Sequence, residues 1–205
     1  MTEMSLFEAI HTQRAIRRYK PDPVPDEAIT KILAAATRAP SARNCQPWHF
    51  LVLRDAELKR SFGEIYWKAT LDGRSDGILE KDTTTFPKVG FDYAEHLGEF
   101  PVLIIVCLEP THPSSHDPFL RGASIFPAIQ NMMLAARALG LGACFTSNYR
   151  RREGEVKALL GIPDDVPTAG CILIGYLGEG EHFGGSRRKP VEEVTFYDRW
   201  GQRSS

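Results

Sequence analysis

The chain is predicted to fold as an α+β protein, and three features of the sequence point there. Four short apolar runs, at 48–53, 102–108, 142–146 and 171–177, have the length and composition of buried strands. Helical patterns outnumber them and do not alternate regularly with them, which argues against βαβ winding. No internal repeat or linker composition interrupts the 205 residues, so one domain over 1–205 is expected.

Each element has a local reason. Ser5-Leu6-Phe7-Glu8 fits a capping box, and Leu6, Phe7 and Ile10 give the short helix behind it an apolar face. Pro21, Pro23 and Pro25 punctuate the link to a second helix, which Asp26 can cap. There Ile29, Ile32, Leu33 and Ala36 recur at helical spacing, and Pro40 ends the pattern. The strand at 48–53 (WHFLVL) leads into a helix over 56–69. Residues 70–90 are rich in Gly, Asp and Thr and read as a mobile surface loop. The run 102–108 (VLIIVCL) reads as a central strand, and 111–118 as a loop.

A long helix is expected over 120–139, carrying Ile125, Ile129, Met132, Met133, Ala136 and Leu139 on one broad face, with Gly140 stopping it. A short strand at 142–146, a helix at 153–160 ending at Gly161, and a buried strand at 171–177 complete the pattern. Beyond Gly178 the composition turns to Gly, His and Arg, and the tail Val194-Thr195-Phe196-Tyr197-Asp198-Arg199-Trp200 is too aromatic to be left in water. A second subunit is one surface it could cover.

Composition narrows the function. A net charge of −1 argues against a dedicated nucleic-acid binder. The longest apolar runs are far too short to span a bilayer. Cys45, Cys107, Cys144 and Cys171 form no C-x-x-C, and no signal peptide is evident, so a reducing cytoplasm is the expected compartment. Gly140-Leu141-Gly142 closes a helix and is no dinucleotide fingerprint. His112 and His116 lack further ligands nearby, Cys45 reads as a small filler in a turn, and Arg150-Arg151-Arg152 reads as an exposed helix start.

Three segments remain. Ala39-Pro40-Ser41-Ala42-Arg43-Asn44-Cys45-Gln46-Pro47-Trp48 packs turn formers, amides and an indole into ten residues. Two basic clusters, Arg14 with Arg17 and Arg187 with Arg188, flank the chain. A flavin phosphate is a dianion suited to arginine, and the isoalloxazine edge needs amide donors and acceptors such as Asn44 and Gln46. Arg14 and Arg17 share a face if the first helix continues and diverge if it has ended. Taken alone, each basic cluster is more often solvated surface, and the bend could equally be a helix end beside a buried tryptophan.

Together the segments resemble the nitroreductase family of FMN-dependent oxidoreductases over nearly the whole chain. The resemblance is carried by Arg14-Ala15-Ile16-Arg17-Arg18-Tyr19, by Ala39-Pro40-Ser41 through Asn44-x-Gln46-Pro47-Trp48, and by Gln130-Asn131-Met132-Met133-Leu134-Ala135-Ala136-Arg137 through Gly140-Leu141-Gly142. Leu160-Gly161-Ile162-Pro163 and Arg188-Lys189-Pro190-Val191-Glu192-Glu193-Val194 extend it to the C-terminal third.

That resemblance implies a three-layer fold, with a central, mainly antiparallel sheet flanked by helices. It implies a homodimer with FMN at the interface and a C-terminal tail that extends the partner's sheet. Arg14, Ala15 and Arg17 are then expected at the ribityl-phosphate and pyrimidine side, and Arg187 and Arg188 at the phosphate. Pro40, Ser41, Ala42 and Asn44 would approach the ring from the other subunit, with backbone at Thr146, Ser147 and Asn148 near the flavin N5. NADH or NADPH would supply hydride, and a small electron-poor acceptor such as a nitroaromatic, quinone or enone would receive it. No acid–base dyad is required of the chain, because the cofactor carries the reactive chemistry.

Two departures stand out. Ala15 replaces the family's usual serine, and Gln13 replaces a common basic residue. The missing hydroxyl contact is worth ~1.5–3 kcal/mol if it would have met a charged group. Other readings are an FMN-binding module without turnover, and a divergent family enzyme for flavin destruction, dehalogenation or ring dehydrogenation.

Overall fold

The computed structural model describes residues 4–75, 89–109 and 118–203. Helix α1 (Leu6–Thr12) begins where the Ser5 hydroxyl accepts the Glu8 N–H at 3.1 Å, as the capping sequence predicts. It stops at Thr12, and Gln13 turns extended, so Arg14 and Arg17 do not share a helical face. Helix α2 (Asp26–Ala36) has Pro25, not Asp26, at its N-cap position. Asp26 is the first helical residue, and its carboxylate pairs with Arg54 at 2.8 Å instead of capping.

Strand β1 (Trp48–Leu53) matches its predicted span. Helix α3 (Ala56–Ser75) runs six residues past the predicted end, because Asp72 is clamped by the Arg152 guanidinium at 2.7 and 3.2 Å. Helix α4 (Val89–Glu95) takes the end of the predicted loop, and what is left of it, 76–88, lies outside the described residues. Strand β2 (Val102–Leu108) follows. The loop expected at 111–118 lies outside the described residues up to 117, and Pro118 already opens α5 (Pro118–Ala138). Strand β3 (Gly142–Thr146), helix α6 (Glu153–Leu160), strand β4 (Thr168–Gly175) and a short α7 (Val191–Val194) complete the order. The α7 turn was not expected from the sequence. Strand β4 starts three residues early because Thr168 and Gly170 continue the ladder opposite Cys107 and Val106.

The four strands form one antiparallel sheet in the order β1-β2-β4-β3. All seven residues of β2 are buried, which is why it reads as an unbroken apolar run. Its side chains divide by parity between two cores. Val102, Ile104, Val106 and Leu108 pack with Ile29 and Ile32 of α2 and Ile125, Ile129 and Met132 of α5. Leu103, Ile105 and Cys107 pack with Phe62 and Tyr66 of α3, Tyr93 of α4 and Val156 of α6. Each fully buried Leu or Ile favours this arrangement by about 1.5–3 kcal/mol. The result is three layers, helices on both faces of an α+β sheet. No helix among the described residues is long and apolar enough to cross a membrane.

The chain after α1 is held along the outer edge of β3. Ala15 bridges Ala143 in parallel, and the Ile16 N–H donates to the Ala143 carbonyl at 3.1 Å. At the opposite edge, among the described residues β1 pairs only with β2.

Candidate active site

Backbone contacts fix the 14–19 segment before any side chain is considered. One carboxylate oxygen of Glu181 accepts the N–H groups of Arg17 and Arg18, both at 3.1 Å. The Tyr19 hydroxyl donates to the Ile16 carbonyl at 2.6 Å. The Gly178–Gly185 strap runs alongside, with the Gly178 N–H on the Arg18 carbonyl and the Gly184 N–H on the Thr12 carbonyl. Arg137 of α5 reinforces it, donating to the Thr12 hydroxyl at 2.8 Å and lying 4.0 Å over the Phe183 ring.

On that frame the Arg14 guanidinium donates to the Gly184 carbonyl at 3.3 Å and sits 3.2 Å from His182 Nε2. A guanidinium can only donate, so Nε2 accepts and the His182 proton is on Nδ1, which faces the Phe183 carbonyl at 3.1 Å. Gly184 and Gly185 both have left-handed φ, +76° and +78°, a turn that side-chain-bearing residues resist. Arg187 and Arg188 follow two and three positions later. Among the described residues none of Arg14, Arg17, Arg187 and Arg188 is ion-paired, whereas Arg18, Arg54, Arg137 and Arg152 each have a carboxylate.

The Arg17 guanidinium lies 5.6 Å over the Tyr93 ring and borders a cavity of about 220 Å³ lined also by Arg18, Asp92 and His96. Thr146 ends β3 with its side chain buried, Ser147 is exposed, and Asn148 is half-buried at the start of a 3-10 turn. A larger cavity, about 360 Å³, lies between α3 and the 97–99 turn and contains none of the predicted site residues.

The 39–48 segment is built separately. Its 3-10 turn Ala42–Asn44 is held by the Ala42 N–H on Ser124 Oγ at 3.2 Å and the Gln46 N–H on Ser41 Oγ at 3.0 Å. Arg43, Asn44 and Gln46 all have left-handed φ between +49° and +55°. For non-glycine residues this costs roughly 1–2 kcal/mol each, least for Asn. The bend leaves Pro40, Asn44 and Gln46 exposed, while Ala39 and Trp48 anchor it in the core beneath α2 and α5.

Thus the structure brings Arg14, Ala15 and Arg17 together with β3 and the glycine turn before Arg187. It does not bring Pro40, Ser41, Ala42 and Asn44 to them within one chain: Ala15 and Tyr19 pack against the opposite core. No hydrogen bond or ring contact among the described residues joins the two groups.

A profile of the nitroreductase family matches residues 10–176. The chain belongs to the nitroreductase family. It is 35% identical over 182 residues to a Methanothermobacter thermautotrophicus protein named "Putative NADH dehydrogenase/NAD(P)H nitroreductase", covering 87% of this chain and 81% of the relative. It is 27% identical to an iodotyrosine deiodinase from Thermotoga neapolitana, covering 83% and 88%. A solved nitroreductase with bound FMN from Bacteroides fragilis superposes with a TM-score of 0.69 at 25% identity, covering 91% and 95%.

For a member of the nitroreductase family the donor set here is chemically apt. Four arginines without carboxylates suit a dianionic phosphate. Any side chain at Gly185 would crowd His182, since a Cβ there would lie 3.3 Å from His182 Cε1. Exposed amides on a strained bend suit a flavin edge. Glu181, His182, Tyr66 and Tyr93 were missed in the sequence. Each is separated by tens of residues from the site residue it supports, so only the folded chain reveals it.

Proposed function

We propose that this nitroreductase-family protein is an FMN-dependent NAD(P)H oxidoreductase acting on nitroaromatics, quinones or similar electron-poor acceptors. The observation that carries the reading is the unpaired arginine set around the Gly184–Gly185 turn. Arg14, Arg187 and Arg188 would hold the ribityl phosphate, and the 14–17 backbone would lie along the ribityl chain. Arg17 would supply positive charge at the pyrimidine side. When bound, FMN supplies hydride acceptance and donation at N5. The backbone at Thr146, Ser147 and Asn148 would face that atom.

Pro40, Ser41, Ala42 and Asn44 would serve the partner's flavin, which gives the strained bend a use and makes the enzyme a homodimer. Two features support that assembly. Trp200 is 92% exposed and, among the described residues, its ring meets only Phe196, tilted by 54° at 4.8 Å, with Arg203 over the Phe196 ring. The β1 edge is apolar and unpaired among the described residues, a template for another strand. Cytoplasmic residence follows the same reading.

The deiodinase relative favours one second reading, reductive dehalogenation on the same flavin. Steady-state oxidation of NADH and NADPH with menadione, a nitrofuran or an iodotyrosine separates the two. Turnover with menadione or the nitrofuran and not with iodotyrosine is expected. Flavin that stays oxidised under both donors would instead indicate a binding module.

A further inference from the structure

Three hydroxyls meet behind the proposed flavin site. Tyr66 on α3 is 0% exposed, Tyr93 on α4 is 6% exposed, and Thr146 at the end of β3 is 7% exposed. The Tyr66 hydroxyl lies 2.5 Å from Thr146 Oγ1 and 2.8 Å from the Tyr93 hydroxyl, and Tyr93 lies 3.3 Å from Thr146. Each hydroxyl has one proton to give, so a head-to-tail ring satisfies all three. Burial raises the Tyr66 pKa far above its ordinary value, so its hydroxyl stays protonated and able to donate.

Stability does not demand this arrangement. Apolar residues of the same shape would fill the space with no donor to satisfy, at nearly neutral net cost. What the hydroxyls add is direction. They tie two helices to the last ladder residue of β3, beyond which the backbone leaves the sheet as Ser147. Tyr93 also faces a second way, because its ring underlies the Arg17 guanidinium at 5.6 Å. Arg17 and Thr146 come from segments 129 positions apart, yet one tyrosine touches both.

We propose that Tyr93, locked by Tyr66, is a positioning residue that fixes the Arg17 guanidinium relative to the exit of β3, and so sets how strongly the site favours reduced over oxidised flavin. The inference rests on the assignment of Arg17 to the pyrimidine side. Reduced flavin carries negative charge there, so a displaced guanidinium costs the reduced form more than the oxidised one.

The test is the ratio of FMN dissociation constants, oxidised to reduced, obtained from the midpoint potential of the holoprotein. Tyr93→Leu removes the ring beneath Arg17 and is expected to lower the ratio about tenfold, about 30 mV for a two-electron couple. Tyr93→Phe keeps the ring and the fold while freeing it from Thr146 and Tyr66, and should lower the ratio about threefold. Tyr66→Phe should act in the same direction. In an Arg17→Ala background the Tyr93 substitutions should add nothing, because the cation they position is gone. A Tyr93→Phe protein with the wild-type potential, or shifts that add to those of Arg17→Ala, would overturn the proposal. Wild-type protein that binds no flavin at all would overturn the cofactor assignment first, and this inference with it.

Discussion

Three of the four cysteines show how thoroughly this fold uses its small apolar residues. Cys107, Cys144 and Cys171 are buried and Cys45 is exposed. Burial pushes the thiols of Cys107 and Cys144 up to about 11, and that of Cys171 higher still. The thiolate is the reactive form, so native protein at pH 8 is expected to release one equivalent of chromophore rapidly with a disulfide reagent, from Cys45. Rapid reaction of more than one thiol without denaturant would contradict the buried placements. A folded-state pKa above the unfolded value of ~8.5 stabilises below that pH and is lost as pH rises through the folded value. Melting temperature should therefore fall progressively from about pH 8.5 to 11. At this scale Ser5 was legible because its role is local, capping its own helix. His182 and Glu181 were not, because what they do is hold other residues in place.

Among the elements, strands β1, β2 and β3 and helix α6 were legible to the residue, since their apolar runs end at abrupt polar or glycine boundaries. Strand β4 was not: the run expected at 171–177 spans Thr168–Gly175, because Ala169 and Gly170 disfavour strands and are recruited only by pairing with β2. The extension of α3 depends on a distant arginine, Arg152, and helical spacing alone could not show it. The packing of α3 on the 97–99 turn is equally invisible in the sequence. A Cβ at Gly63 would lie 2.8 Å from the Gly98 amide nitrogen, and one at Gly98 would lie 2.8 Å from the Lys59 carbonyl. Backbone has no side chain to move aside there. Gly63→Ala is expected to destabilise the protein by about 1–3 kcal/mol, read from urea denaturation. A variant as stable as wild type would mean that the two segments separate freely.

For the whole molecule, the family resemblance supplies an expectation that local patterns do not: that the 14–17 and 40–44 segments, packed against opposite cores, serve one cofactor across two subunits. The described chain places them apart, with an apolar sheet edge and an aromatic tail both uncovered. Two copies related by symmetry would resolve all three features together. The decisive measurement is the visible absorption of the purified protein, supplemented with FMN and passed through size exclusion with light scattering. The account predicts a yellow species of twice the chain mass that retains close to one FMN per chain. A colourless monomer that takes up no FMN would contradict it.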